Sequence, residues 1–335
     1  MRIIVPMAGM GKRMRPHTLT VPKPLLKIAG KPIVQRLVED ITKVVNEKVE
    51  EIAYVIGDFG KEVEEKLVKI ATDLGAKGSI YYQDEPLGTA HAILCAKESL
   101  KGNVVIAFAD TLFKADFQLD THKDDGIIWV NKIEDPRAFG VVKISEEGYI
   151  TEFVEKPQHF VSDLAIIGIY YFKDGENLHK ELQYLIDNNI KDKGEYQITN
   201  ALQNMTNKGK KFVPGRVEEW LDCGNKDATV YTNQRVLEFI KQEKLVSEKV
   251  KNTNSIVIPP CYIEEDVVLE NAVVGPHVSL GAGSVVRNSV LSNSIIQEKT
   301  KIESAVITNS MFGSHVEYSG TPQQYSIGDY SFKDK

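Results

Sequence analysis

Near the N-terminus a short apolar run ends in a glycine loop and is followed by cations. Arg2-Ile3-Ile4-Val5-Pro6 leads into Ala8-Gly9-Met10-Gly11-Lys12-Arg13-Met14, and Val21-Pro22-Lys23-Pro24-Leu25-Leu26 comes next. A polyphosphate asks for two things: backbone N–H groups that approach it closely, and positive charge that stays in place. Glycines supply the first by removing Cβ. Arg13 and Lys23 supply the second. A lysine between two prolines stands on stiff, extended backbone, so its ammonium is aimed at little entropic cost. The dinucleotide fingerprint wants a third glycine where this chain is basic, and the Walker loop wants a Gly-Lys-Ser/Thr that is absent. The basic residues suit a terminal triphosphate better than a bridging pyrophosphate. The plain alternative is an ordinary βα turn with solvated charges.

Three further stretches carry chemistry. Gln83-Asp84-Glu85-Pro86-Leu87-Gly88-Thr89-Ala90-His91 reads as a strand end, a turn and a helix start. Gln83 has both a donor and an acceptor and can read the edge of a base. Gly88 lets a flat ring approach the backbone. A simple turn with Thr89 as helix cap explains the same residues, and His91 reads as a helix-surface or packing residue rather than a catalyst. Asp110, after the apolar run Asn103–Phe108, is a carboxylate at the end of a buried strand. It needs a cation there, and Mg²⁺ commonly takes one or two carboxylates plus substrate phosphates; a turn cap is the alternative. Glu155-Lys156 offers a carboxylate acceptor for vicinal hydroxyls beside an ammonium for a phosphate, or else a solvated surface pair.

These residues need elements to hold them. Arg2–Pro6, Glu51–Ile56, Ser79–Gln83 and Asn103–Phe108 read as strands; Ile33–Val45, Glu62–Leu74 and Thr89–Leu100 read as helices. Such alternation implies a doubly wound α/β sheet of the Rossmann type. Ligands bind such sheets outside the carboxyl ends of the strands, which is where the motifs fall.

The whole chain agrees with a soluble enzyme. At 335 residues, one large domain plus a smaller one is expected. The formal net charge of −6 argues against a nucleic-acid partner. Cys95, Cys223 and Cys261 are widely separated, form no metal-like pair and read as reduced thiols of a cytoplasmic protein. Lys12, Arg13 and Arg15 interrupt any signal-peptide core, and no apolar run is long enough to span a bilayer.

The N-terminal motif resembles that of the sugar nucleotidyltransferases, Ala-Gly-Gly-x-Gly-Thr-Arg-Leu followed by Pro-Lys-Pro-Leu-Leu and Gly-Lys-Pro. Here Met10 replaces a glycine, as in the uridylyltransferase branch, Lys12 replaces a threonine, and Gly30-Lys31-Pro32 completes the pattern. The resemblance extends over nearly the whole chain. It implies that Ala8, Gly9, Gly11, Gln83, Pro86, Gly88 and Thr89 bind the nucleotide. Trp220-Leu221-Asp222-Cys223-Gly224 looks like the family's Trp-x-Asp-x-Gly, so Asp222 would complete a Mg²⁺ site with Asp110. Phe139-Gly140-Val141-Val142, Glu155-Lys156-Pro157 and the segment from Ser162 to Tyr170 look like the sugar-phosphate half, implying roles for Gly140, Glu155, Lys156, Ala165 and Tyr170. Gly194-Glu195-Tyr196-Gln197-Ile198-Thr199 resembles a segment that opens a helix near the pocket. Ala109, Asp163, Ile167 and Asn200 depart from the usual Gly, Asn, Thr and Asp; the departures at Asp163 and Ile167 leave the sugar open.

After about residue 250 short apolar units recur at near-hexad spacing, from Tyr262-Ile263 to Asn309-Ser310-Met311-Phe312, the mark of a β-helix. Residues 1–250 read as the catalytic domain, 251–318 as a left-handed β-helix and 319–335 as a tail, with Gly224–Lys244 a connecting helix. The open ends of such a stack favour a homo-oligomer. The expected reaction joins dTTP or UTP to glucose 1-phosphate and releases pyrophosphate, with Arg13, Lys23, Lys156 and Asp110 as its catalytic residues and no general base. Gln83 favours a pyrimidine, although glutamine can also read adenine. The alternatives are a mannose-1-phosphate guanylyltransferase, an N-acetylglucosamine-1-phosphate uridylyltransferase, an acyltransferase using His277 or His315, and a non-catalytic regulatory paralogue.

Overall fold

The computed structural model describes residues 1–115, 119, 124–321 and 323–331. The chain forms two compact units, Met1–Leu26 with Lys31–Asn225, and Lys27–Gly30 with Lys226–Lys335.

The first unit contains strands β1 (Arg2–Pro6), β2 (Glu51–Ile56), β3 (Lys77–Tyr82), β4 (Val104–Ala107), β5 (Thr111–Lys114), β6 (Gly126–Lys132), β7 (Gly140–Ile144), β8 (Ile150–Glu155), β9 (Leu164–Phe172), β10 (Phe212–Gly215) and β11 (Glu219–Asp222). Its helices are α1 (Ile33–Val44), α2 (Lys61–Asp73), α3 (Thr89–Cys95), α4 (Gly175–Asp187) and α5 (Ile198–Asn207). A nine-stranded mixed sheet runs β8-β7-β9-β4-β1-β2-β3, with β6 on β9 and β10 on β6. Strands β4, β1, β2 and β3 are mutually parallel, while β9 runs antiparallel to β4. The inner strands β1, β2 and β4 are almost wholly buried and mostly aliphatic, as parallel strands covered on both faces are, whereas β3 at the edge is Lys-Gly-Ser-Ile-Tyr-Tyr and half-buried to exposed.

The apolar residues of α1 fall at helical spacing, so Ile33, Val34, Leu37, Val38 and Ile41 are all buried. In β2 even Glu51 is buried; it accepts from the Ser79 hydroxyl at 2.5 Å and pairs with Arg2 and Lys77, as a buried carboxylate requires. One hydrophobic cluster joins Ile4, Ala53, Val104 and Ile106 of the sheet to α3, α4 and α5. The expected helix Thr89–Leu100 is shorter: α3 stops at Cys95 and a 3₁₀ turn, Lys97–Ser99, follows. The tighter turn buries Ser99, whose hydroxyl pairs with that of Tyr81 at 2.8 Å.

In the second unit a helix, α6 (Lys226–Phe239), precedes a three-faced parallel β-helix; α6 is shorter at both ends than the expected Gly224–Lys244. Strand registers step by 17, 17, 16 and 16 residues, slightly less than three six-residue units. Left-handed residues mark the corners. Asn254, Asn271, Asn288 and Ser304 form one column of left-handed residues, His277, Asn293 and Asn309 a second, and Asp266, Gly283, Lys299 and His315 a third. Asparagine tolerates that backbone and bonds its neighbours, here in ladders from Asn254 to Asn271 and from Asn293 to Asn309. Leu269, Val274, Leu280, Val286, Leu291 and Ile302 fill the interior. His277 and His315 therefore serve as corner residues, and His277 Nε2 lies 2.7 Å from Glu238 Oε1. Among the described residues no helix is long and apolar enough to cross a membrane.

Candidate active site

The carboxyl ends of β1, β3 and β4 carry three of the predicted motifs. After β1 the loop turns at Gly11, whose φ is +57° and where a Cβ would stand 2.9 Å from Lys23 Cβ. Glycine is therefore required twice over, by conformation and by the approach of the lysine stem. The Thr18 hydroxyl donates to the Gly11 carbonyl at 2.8 Å and fixes the loop. Lys23 opens a 3₁₀ turn between its two prolines, and its Nζ reaches Asp110 Oδ2 at 2.8 Å. Asp110 itself follows β4.

A second pairing brings in Asp222. Strand β11 runs antiparallel to β5 with Asp222 opposite Thr111, and the Cys223 amide donates to the Asp110 carbonyl at 2.9 Å. The Trp220 indole N–H donates to the Thr111 hydroxyl at 2.7 Å and locks that register. Residues far apart in sequence thus become neighbours through one short ladder. Burial, and then the charge of Asp110, raise the pKa of Asp222; the Gly224 amide, Lys23 and Arg13 oppose the rise. At Gly224 an added Cβ would lie 2.9 Å from Asp222 Oδ1 and 3.2 Å from an Arg13 guanidinium nitrogen. Two carboxylates and two cations are therefore gathered at one place. No group of three or more His, Cys, Asp or Glu side chains suited to a metal occurs among the described residues. Two like-charged carboxylates fit Mg²⁺, whose remaining ligands in such sites are substrate phosphates and water.

The residues expected on the sugar side form a second cluster. A Cβ on Gly140 would stand 3.2 Å from Glu155 Oε2, Ile166 Cδ1 and Thr199 Cγ2. Glu155, only 12% exposed in its side chain, accepts from the Thr199 hydroxyl at 3.4 Å and lies 3.6 Å from Lys156 Nζ. Lys156 is exposed and adopts a left-handed backbone. The Lys193 ammonium donates to the backbone carbonyls of Glu155 and Lys156 at 3.2 and 2.5 Å, anchoring that turn. Phe139, next to Gly140, meets Trp220 edge to face at 5.1 Å, which ties this cluster to Asp222.

The third cluster is built at the start of α3. Gly88 has φ +116°, and a Cβ there would come within 2.4 Å of the Tyr196 carbonyl. The Thr89 hydroxyl donates to Gln197 Oε1 and accepts from the Ile198 amide, both at 3.0 Å. Thr89 therefore caps α5 across the chain rather than its own helix. Gln83 Nε2 bonds the Gly88 carbonyl at 3.3 Å and His91 Nδ1 at 3.1 Å.

Ala8 is half-buried, Gly9 and Pro86 are exposed, and Ala165 and Tyr170 are buried within β9. Tyr170 is a core residue, packed against Phe108 and Phe172; burial and the charge of Glu155 raise its pKa. Lys193, Thr199 and the Gln83–His91 contact were not singled out as site features by sequence. The segment 194–199 was recognisable as a helix opening, whereas Lys193 belongs to no pattern.

Comparison with known proteins gives the family and the fold. A glucose-1-phosphate thymidylyltransferase of Streptomyces griseus is 28% identical over 99% of this chain and 98% of its own. A bifunctional GlmU protein of Methanococcus maripaludis is 30% identical over 81% of this chain and 62% of its own. The crystal structure of a nucleoside-diphosphate-sugar pyrophosphorylase from Vibrio cholerae superposes with a TM-score of 0.60 at 19% identity, covering 69% of this chain and 99% of that one. The nucleotidyl transferase family model matches residues 3–238, the stretch that carries the glycine loop, both aspartates and both lysines, and the chain belongs to that family.

Proposed function

We propose that this chain is a sugar-phosphate nucleotidyltransferase that joins dTTP or UTP to glucose 1-phosphate and releases pyrophosphate. The observation that carries the reading is the convergence of Arg13, Lys23, Asp110 and Asp222 at the strand ends, tied through Trp220 and Phe139 to the Gly140–Glu155–Lys156 cluster. Both reactants are anions, so their mutual repulsion is the main obstacle to encounter. Such a transfer asks for alignment and charge neutralisation more than for covalent chemistry.

The sugar phosphate oxygen attacks the α-phosphorus, the bond to the bridging oxygen breaks, and pyrophosphate leaves with that electron pair. The attacking oxygen is already ionised, so no side chain has to remove a proton. Lys156 holds the sugar phosphate, and Glu155, fixed by Thr199, accepts from sugar hydroxyls. Lys23 neutralises the α-phosphate and Arg13 the departing phosphates, while Gly11 lets the backbone close on them. Gln83 and Gly88 receive the base. Asp110 and Asp222 would hold Mg²⁺, which supplies charge neutralisation and orientation of the phosphates when bound.

The glucose-1-phosphate thymidylyltransferase relative, aligned over nearly its full length, supports this substrate pair. The test crosses dTTP, UTP, GTP and ATP with glucose, mannose, galactose and N-acetylglucosamine 1-phosphates and follows pyrophosphate release. Fastest turnover with glucose 1-phosphate and dTTP or UTP is expected. Preference for GTP with mannose 1-phosphate, or for UTP with N-acetylglucosamine 1-phosphate, overturns the substrate assignment.

A further inference from the structure

Gln83 is the side chain placed to read the base, and an amide can do so in two opposite ways. It offers a donor if its NH₂ faces the ligand and an acceptor if its carbonyl does. The fold decides between them. The Gly88 carbonyl, 3.3 Å from Gln83 Nε2, can only accept, so the amide nitrogen must face it. His91 Nδ1 lies 3.1 Å from the same nitrogen. A neutral imidazole accepts at Nδ1 when its proton is on Nε2. Burial lowers the His91 pKa, which favours that neutral form. Both amide hydrogens of Gln83 are thus engaged inside the protein. Gln83 Oε1 has no hydrogen-bond partner among the described residues.

We propose that His91 is a positioning residue that locks the Gln83 amide with its carbonyl oxygen toward the base, so that the site selects bases presenting a ring N–H. Uracil and thymine present N3–H and guanine presents N1–H. Cytosine N3 and adenine N1 are lone pairs at the equivalent edge and face Oε1 as acceptor against acceptor. A site built to pair one hydrogen-bonding group discriminates strongly against the ligand that leaves it unpaired. His91 touches no reacting atom in this account; it acts through Gln83 alone.

The inference rests on the nucleotidyltransferase reading, and the test separates the two. Pyrophosphate release by the wild type is measured with dTTP, UTP, GTP, CTP and ATP at a fixed sugar 1-phosphate. Use of CTP or ATP as readily as UTP overturns the acceptor assignment and leaves the transferase intact. Inactivity with all five triphosphates and all four sugar phosphates overturns both. His91→Lys, which can only donate, sets an ammonium against the amide hydrogens and works against the orientation that the Gly88 carbonyl favours. The ratio of kcat/KM for UTP to that for CTP is expected to fall at least about tenfold, and His91→Gln, which can still accept, is expected to restore it. A ratio within about twofold of the wild type in His91→Lys overturns the proposal. Should that variant not fold, His91→Phe keeps a flat ring without an acceptor, and an unchanged ratio there has the same force.

Discussion

Replacing Lys23 with methionine separates what its charge does from what its stem packs. The ammonium sits 2.8 Å from Asp110 Oδ2, with the lysine side chain 11% exposed and the aspartate 40%. Such a pair lies between exposed ones, worth about 0.2–1 kcal/mol, and fully buried ones, whose breaking costs about 3–5 kcal/mol. The exposure of Asp110 screens the interaction, so a stability loss of about 1–3 kcal/mol is expected. The catalytic loss is larger: removing one fixed electrostatic contact to a transferring group costs roughly 10²–10³ in kcat. A third effect distinguishes this account from general damage. Burial and Asp110 raise the Asp222 pKa while Lys23 is among the groups that lower it. Without the ammonium that pKa rises further. The acid limb of the pH–rate profile, which requires ionised Asp222, then moves to higher pH. Pyrophosphate release followed from about pH 5 to 9 reads the limb, and thermal unfolding monitored by circular dichroism reads the stability. Turnover within about threefold of the wild type in a folded Lys23→Met enzyme refutes the assigned role. An acid limb that stays in place refutes the electrostatic link.

Asp222→Asn should abolish most turnover yet raise the unfolding midpoint near neutral pH in the presence of a chelator. An acid whose folded pKa is raised destabilises the fold when ionised, and that penalty fades as pH falls through the raised value. The gain is therefore expected at neutral pH and should vanish in acid; melting curves at two pH values test it. Gly140→Ala places a methyl group 3.2 Å from Glu155 Oε2 and Thr199 Cγ2. The KM for sugar 1-phosphate should rise about tenfold while the KM for the nucleotide stays within about twofold; a rise in the nucleotide KM alone contradicts the placement. Thr89→Val leaves the Ile198 amide without its acceptor. A loss of about 1–3 kcal/mol follows, which lowers the midpoint by roughly 3–10 °C for a unit of this size. An unchanged midpoint removes Thr89 as the cap of α5.

The parallel half of the sheet is legible in the sequence because buried parallel strands must be aliphatic and their helices must be amphipathic. The interruption of α3 after Cys95 is not, because it depends on Ser99 meeting Tyr81, a partner supplied by a strand outside the local pattern. The β-helix is recognisable from its aliphatic recurrence, yet the places where its 16- and 17-residue coils turn are set by residues that adopt left-handed backbone. Asn, Asp, His, Lys and Ser all do so here, and no single residue type marks the corners.

The same division runs through the site. Gly11, Lys23, Asp110 and Glu155 stand out because each residue type is awkward where it sits unless a ligand explains it: a glycine in a charged loop, a lysine between prolines, carboxylates at strand ends. The groups that aim them leave no such trace. Thr89 looks like a cap for its own helix and instead caps α5. Lys193 looks like one more surface lysine and instead donates to the carbonyls of Glu155 and Lys156. His91 looks like packing and instead contacts the Gln83 amide. Each of these three acts through contacts distant in sequence or through an atom whose orientation only a folded neighbour can fix. Position and chemistry of the candidate groups can therefore be read along the chain, while their orientation is a property of the fold. Selectivity depends on orientation, and base choice is accordingly the property that sequence reasoning alone left open.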